Sequence, residues 1–257
     1  MSDSQGKFVW YELMTTDPKA AEEFYRSVVG WGAQDAGMPG MTYTLLTVGG
    51  VPAAGLMEMP ERVSSSGAPP AFWTGYVFVD DVDASAAQAA GEGGAVHHAP
   101  DDIPGIGRFA VISDPQGAAI ALFKSTMMAG QSFAPDTPGS VGWHELYAGD
   151  REAAFAFYAK LFGWTKAEHF DMGPMGVYQL FAAGGKTTGG MMTKPPQVPV
   201  PCWLYYFCVE AIDAAAARVQ SGGGRILNGP MEVPGGSFVV QCLDPQGGPF
   251  CLIAPRR

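Results

Sequence analysis

The first 201 residues contain no cysteine. The four that follow, Cys202, Cys208, Cys242 and Cys251, include no C-x-x-C pair. That spacing excludes a disulfide framework or zinc knuckle and predicts reduced, buried, inert thiols. Charge is also scarce, at 16% of residues, and what there is sums to −10. An acidic surface repels phosphate backbones and anionic lipid, so neither nucleic acid nor membrane is an expected partner. No apolar run approaches the roughly 18 to 20 residues that span a bilayer, and Met1 to Lys7 is polar, without the apolar core of a signal peptide. The expected location is cytoplasmic. The runs Gly91-Glu92-Gly93-Gly94 and Gly222-Gly223-Gly224 lack a following Lys-Ser or Lys-Thr and read as turns after helices, and no G-x-S-x-G appears, so neither a phosphate loop nor a nucleophile elbow is expected. Apolar residues at 47% speak for a globular protein, and 35 glycines with 21 prolines for many turns between short strands.

What the chain does have, it has twice. Trp10-Tyr11-Glu12-Leu13, Asp17, Phe24-Tyr25 and Gly30-Trp31 recur 133 residues later as Trp143-His144-Glu145-Leu146, Asp150, Phe157-Tyr158 and Gly163-Trp164. Tyr43, Gly49-Gly50 and Gly55 return as Tyr178, Gly184-Gly185 and Gly190, 135 residues on. Trp73 and Asp114-Pro115-Gln116-Gly117 return as Trp203 and Asp244-Pro245-Gln246-Gly247, 130 residues on. Offsets steady within blocks and shifting between them mark a duplicated unit with short loop insertions and deletions.

Each half divides again. Residues 8 to 15 read as a strand; Asp17-Pro18 caps and opens a helix whose apolar face is Ala20, Ala21, Phe24, Tyr25 and Val28, and Gly30 closes it. Strands near 43 to 48 and 53 to 57 follow across a Gly49-Gly50 turn. A second round begins with a strand at 71 to 79, a helix at 81 to 91 and short strands near 95 to 98, 108 to 113 and 118 to 123. The chain thus reads as four βαβββ modules. Ser64 to Pro70 and Pro195 to Pro201 join modules within a half, and Met127 to Gly139 joins the halves.

Paired βαβββ modules, an opening strand closed by Asp, a helix carrying Phe-Tyr and a last hairpin on Asp-Pro-x-Gly resemble the vicinal oxygen chelate superfamily of glyoxalase I, bleomycin-resistance proteins and extradiol dioxygenases. The two-domain layout is similar to a bacterial glyoxalase-like subgroup. The resemblance implies an α+β fold of two tandem domains, 1–128 and 140–257, with a linker at 129–139. Each domain would hold two modules forming a cupped mixed sheet, helices outside, with ligand and often a divalent metal in the cup.

The family's metal ligands, by the same resemblance, sit seven residues before the capping Asp, on the opening strand of the second module, and seven residues after the Asp of Asp-Pro-x-Gly. Here those positions hold Trp10, Thr74 and Ala121 in one half, and Trp143, Leu204 and Cys251 in the other. Indole, leucine and alanine cannot ligate a metal, and hard divalent ions want imidazole or carboxylate donors. Both cups are expected to lack the family's metal site, and no cofactor is expected; a divalent metal held by unaligned residues such as Glu12, Glu145 or His144 is the alternative.

Side chains alternate along a strand, so Trp10 shares a face with Glu12, and Trp143 with Glu145 and Tyr147. His144, between them, should face away. Glu12 and Glu145 are the candidate catalytic bases, because a carboxylate beside an indole invites a raised pKa; the structural alternative is a bond to backbone amides or to a buried Arg or Tyr. Trp10, Tyr43, Thr74, Tyr76, Arg108, Trp143, Tyr178, Tyr206 and Cys251 are the candidate ligand-binding residues: aromatic walls with hydroxyls suit a flat apolar molecule. Ordinary core packing is the competing account of each aromatic. Arg108, expected just before the seventh strand, could clamp a ligand carboxylate or pair with a core acid. His97-His98 reads as a surface pair. Three functions compete: a metal-free module binding a small aromatic or apolar molecule, which the sequence favours; a glyoxalase-like lyase, isomerase or dioxygenase; and a structural role with closed cups. The partner expected is a small molecule, in a monomer or homodimer.

Overall fold

The computed structural model describes residues 2–38, 40–65, 67–126 and 133–257; part of the expected linker 129–139 lies outside them. The strands are β1 (Phe8–Thr15), β2 (Gly32–Asp35), β3 (Tyr43–Val48), β4 (Val51–Glu58), β5 (Ala71–Phe78), β6 (Ala95–Ile103), β7 (Gly107–Ser113) and β8 (Ala119–Ser125) in the first half. The second half repeats them as β9 (Val141–Ala148), β10 (Thr165–Asp171), β11 (Val177–Ala183), β12 (Lys186–Thr193), β13 (Cys202–Cys208), β14 (Arg225–Glu232), β15 (Phe238–Leu243) and β16 (Pro249–Ala254). Module helices are α1 (Pro18–Val29), α3 (Val82–Gly91), α4 (Arg151–Phe162) and α5 (Ile212–Ser221); a single turn, α2 (Glu61–Ser64), was not anticipated. Two eight-stranded mixed sheets result, ordered β2-β3-β4-β1-β5-β8-β7-β6 and β10-β11-β12-β9-β13-β16-β15-β14. The fold is the α+β duplication that the repeat implies.

Local chemistry sets the helix ends. Asp17 accepts from the Ala20 amide, Asp81 from Ala84, and Asp150 from Glu152 and Ala153, each satisfying donors that no helical carbonyl reaches. Gly30 and Gly163 end α1 and α4 at φ of 89° and 74°, a left-handed conformation costly for any residue with a Cβ. The fourth helix, α5, starts at Ala211 without a side-chain cap, and carries only Asp213 in its first turn.

By packing, the chain divides into two compact units that do not follow the halves. One comprises residues 1–9, 74–130 and 144–203; the other 10–73, 131–143 and 204–257. Each therefore combines a module of one half with a module of the other.

In the unit containing residues 10–73, α1 packs on α5. Trp73 Nε1 donates to the Tyr25 hydroxyl at 2.9 Å, which donates to Asp244 Oδ2 at 3.0 Å. Asp244 Oδ1 accepts from the amides of Gln246 and Gly248, holding the Asp-Pro-Gln-Gly turn. Phe24 lies so close to Gly224 that a Cβ there would meet its ring at 2.9 Å. The indole of Trp31 donates to the carbonyl of Gly139 at 2.8 Å.

The unit containing residues 144–203 builds the same device from the opposite modules. Trp203 Nε1 donates to Tyr158 at 3.1 Å, and Tyr158 to Asp114 Oδ2 at 3.2 Å. Asp114 Oδ1 accepts from Gln116 and Ala118, Phe157 closes on Gly94, and Trp164 donates to Gly6 at 2.7 Å. Tyr25, Tyr158, Asp114 and Asp244 are all buried. Burial raises Tyr25, and Asp244 raises it further; burial also raises both aspartates against the pull of the amides they accept from. The repeated Phe-Tyr, Gly-Trp, late tryptophan and Asp-Pro-x-Gly are thus one structural network, in which each indole, phenol and carboxylate of the relay is hydrogen-bonded.

Candidate functional site

The opening strands set the site. On β1, Trp10 and Glu12 project on one side, while Leu13, on the other, is fully buried. Glu12 is 6% exposed. Its pairing partner in the parallel ladder is Gly55 of β4, which in turn pairs with Leu45 of β3. The missing side chain at Gly55 is what admits Tyr43: a Cβ there would collide with the phenol. Across the glycine, the Tyr43 hydroxyl donates to Glu12 Oε2 at 2.9 Å and accepts from Trp10 Nε1 at 3.0 Å. Burial first, then the Glu12 charge, pushes the Tyr43 hydroxyl well above its ordinary range, so it stays a donor at neutral pH.

The second half repeats the frame. Glu145 of β9, also 6% exposed, pairs with Gly190 of β12, which pairs with Leu180 of β11. The ring and hydroxyl of Tyr178 fill the space a Gly190 Cβ would take. The Glu12 side chain is thus bonded to a tyrosine, the structural alternative the sequence left open.

Thr74 and Tyr76 of β5 are buried, as is Tyr206 of β13; Trp143 and Tyr178 are half-buried. Tyr206 accepts from Gln241 Nε2 at 3.1 Å, and Cys251, fully buried, is its neighbour across β16. Arg108 departs from expectation. It lies within β7, and its partners are surface acids: Asp83 of α3 at 2.7 and 2.8 Å, and Asp102 at 2.9 Å. Both aspartates are exposed, so the pairing is a surface network and not a bond to a core acid. His144 is 5% exposed, bonds the Thr188 carbonyl through Nδ1 at 2.8 Å and stacks on Phe8 at 3.9 Å. Burial pulls it down to about 4, and it is neutral at pH 7. His97 bonds Ser113.

No disulfide joins the cysteines; three are buried and Cys202 is half-buried. Burial, then the Glu145 charge, lifts Cys202 to about 11, and burial lifts Cys208 and Cys242 to about 11 and about 12. Those thiols are protonated and poorly nucleophilic. Sequence reasoning missed the roles of Gly55, Gly190 and Gln241, although Gly55 and Gly190 belong to the repeat.

A divalent metal fits these residues poorly. Glu12 shares its surroundings with an indole and a phenol, and hard cations need several imidazole or carboxylate donors. Among the described residues no three His, Cys, Asp or Glu side chains gather closely enough to hold an ion.

Two sheets of paired βαβββ modules, with a glutamate and a glycine-seated tyrosine in each half, define a tandem paired-module protein of the glyoxalase type. The model of the Glyoxalase/Bleomycin resistance protein/Dioxygenase superfamily matches residues 7–122 and 140–252, and the chain belongs to that superfamily. It is 36% identical over 255 residues to the putative glyoxylase CFP32 of Mycobacterium tuberculosis, covering 98% of this chain and 95% of the relative. It is 32% identical over 264 residues to the anthracycline biosynthesis protein DnrV of Streptomyces peucetius, covering 98% and 94%. Among solved structures, the Mn(II)-bound glyoxalase of Novosphingobium aromaticivorans superposes with a TM-score of 0.64 at 18% identity, over 98% of this chain and 82% of that one. The 2,3-dioxygenase LapB of Pseudomonas sp. KL28 superposes at 0.65 with 12% identity, over 98% and 93%. These two likenesses concern the fold.

Proposed function

We propose that the chain binds a small apolar or aromatic molecule on the sheet faces carrying Trp10 with Glu12 and Trp143 with Glu145, without the superfamily's metal. The observation that carries this reading is the Trp10–Tyr43–Glu12 chain. It joins an indole, a phenol and a carboxylate into one anchored surface, where the resemblance places a metal ligand at Trp10. Aromatic surface with few oriented polar groups suits a flat ligand. A relative named for anthracycline biosynthesis agrees with an aromatic ligand. The test is metal content by inductively coupled plasma mass spectrometry, on untagged protein purified without chelator, together with tryptophan-fluorescence titration of an anthraquinone. The expected result is below about a tenth of an ion per chain and saturable quenching, which Trp10→Leu weakens about tenfold. Near-stoichiometric metal, or no quenching, overturns it.

A second reading has its own observation. Tyr43, held protonated, donates to Glu12, so a phenolic acid and a carboxylate base stand within one bond of each other. Glyoxalase-type or dioxygenase-type activity that disappears in Glu12→Gln or Glu145→Gln, with binding retained, would favour an enzyme.

A further inference from the structure

The opening strand and the last two strands of the second and fourth modules carry matching rows of side chains. In the first half, Tyr76, Ala121 and Val111 are mutual partners across β5, β8 and β7. In the second half the same row is Tyr206, Cys251 and Gln241, across β13, β16 and β15. Partners in register leave the sheet on one side, with Cβ atoms about 4.5 to 5.5 Å apart. The tyrosine is kept; its two neighbours change from a methyl and an isopropyl group to a thiol and a carboxamide.

Packing alone does not call for that change. Valine is the better strand former, and a half-buried carboxamide must find hydrogen bonds or lose stability. Gln241 is half-buried, as Val111 is, so the two positions have comparable room. The Gln241 amide donates to the Tyr206 oxygen at 3.1 Å. Because that oxygen accepts from Gln241, its own proton is directed elsewhere. Cys251, fully buried, stands between the two in register.

We propose that the two halves select different ligand edges. The fourth module's row recognises an oxygen substituent on an aromatic ring, a phenolic hydroxyl or quinone carbonyl, through Gln241 and Tyr206; the second module's row accepts an apolar edge. This rests on the small-molecule binding proposed above and adds the chemistry that tells the halves apart.

The experiment is fluorescence titration of the full chain with 1,4-dihydroxyanthraquinone and with anthracene. Gln241→Val, which converts the row to the first-half type, is expected to weaken dihydroxyanthraquinone binding roughly tenfold while leaving anthracene unchanged, as loss of an oriented polar contact would. Tyr206→Phe, which keeps the ring, should do the same. Dihydroxyanthraquinone affinity that stays within about twofold in both Gln241→Val and Tyr206→Phe overturns the assignment. So does an equal loss for both probes, which marks a packing defect. Wild-type protein that binds neither probe overturns the underlying binding reading along with it.

Discussion

The Trp73–Tyr25–Asp244 and Trp203–Tyr158–Asp114 relays are nearly superimposable in their bonding, whereas the strand rows Tyr76–Ala121–Val111 and Tyr206–Cys251–Gln241 share one residue of three. The relays are buried, and each indole, phenol and carboxylate in them is hydrogen-bonded, so any single replacement strands another polar group. The rows stand on a sheet face, where the first half, with Ala121 and Val111, makes no side-chain hydrogen bond of the Gln241–Tyr206 kind. The duplication has kept the relays and varied the rows.

The largest effect that could break this comparison comes from the relays. Asp244→Ala and Asp114→Ala each remove the acceptor for two turn amides and one tyrosine, and should each cost about 4 kcal/mol. Urea denaturation should give matching losses; a loss at one site and none at the other would mean the relays are not equivalent.

The second effect distinguishes the halves. His144 stands where the first half has Tyr11. Its native pKa of about 4 lies below the 6.5 of an exposed histidine, so between those values the unfolded chain binds the extra proton. The native state therefore loses stability as pH falls from 6.5 towards 4, by up to about 3 kcal/mol from this group. In His144→Phe, which keeps the stack on Phe8, denaturation midpoints should fall less steeply over that window. An unchanged slope would assign it to other groups.

Gly55→Ala and Gly190→Ala probe the shared frame. Each new methyl strikes the tyrosine seated over it, with an expected cost of about 2 kcal/mol. Thermal melts should show both, and Gly55→Ala should also weaken anthraquinone binding by freeing Tyr43 from Glu12. The smallest effect is at Arg108, whose exposed ion pairs are screened by solvent and contribute little. Arg108→Ala should shift the melt slightly at low salt and not at high salt.

How much of this was legible beforehand depended on whether the signal was local. Asp17-Pro18 and Gly30 bounded α1 correctly, because capping and left-handed glycine act within one turn. Strand alternation put Glu12 with Trp10 on β1, and on β9 turned His144 away from Trp143 and Glu145. It could not show that Glu12 meets Tyr43, since that bond depends on Gly55, an empty place on a strand that pairs with both. Arg108 failed as an expected partner of a core acid because its acids lie on α3 and β6, brought to it by the surface of the fold.

The duplication, the four modules, the ends of α1 and the superfamily can be read along the chain, because repeat spacing, capping and periodicity are carried by near neighbours. The tertiary structure alone decided that Tyr25 answers to Asp244 and Tyr158 to Asp114, each in the opposite half of the chain. A buried hydroxyl must find an acceptor. Which acceptor it finds is set by the module packed against it, and no spacing along the sequence records that choice.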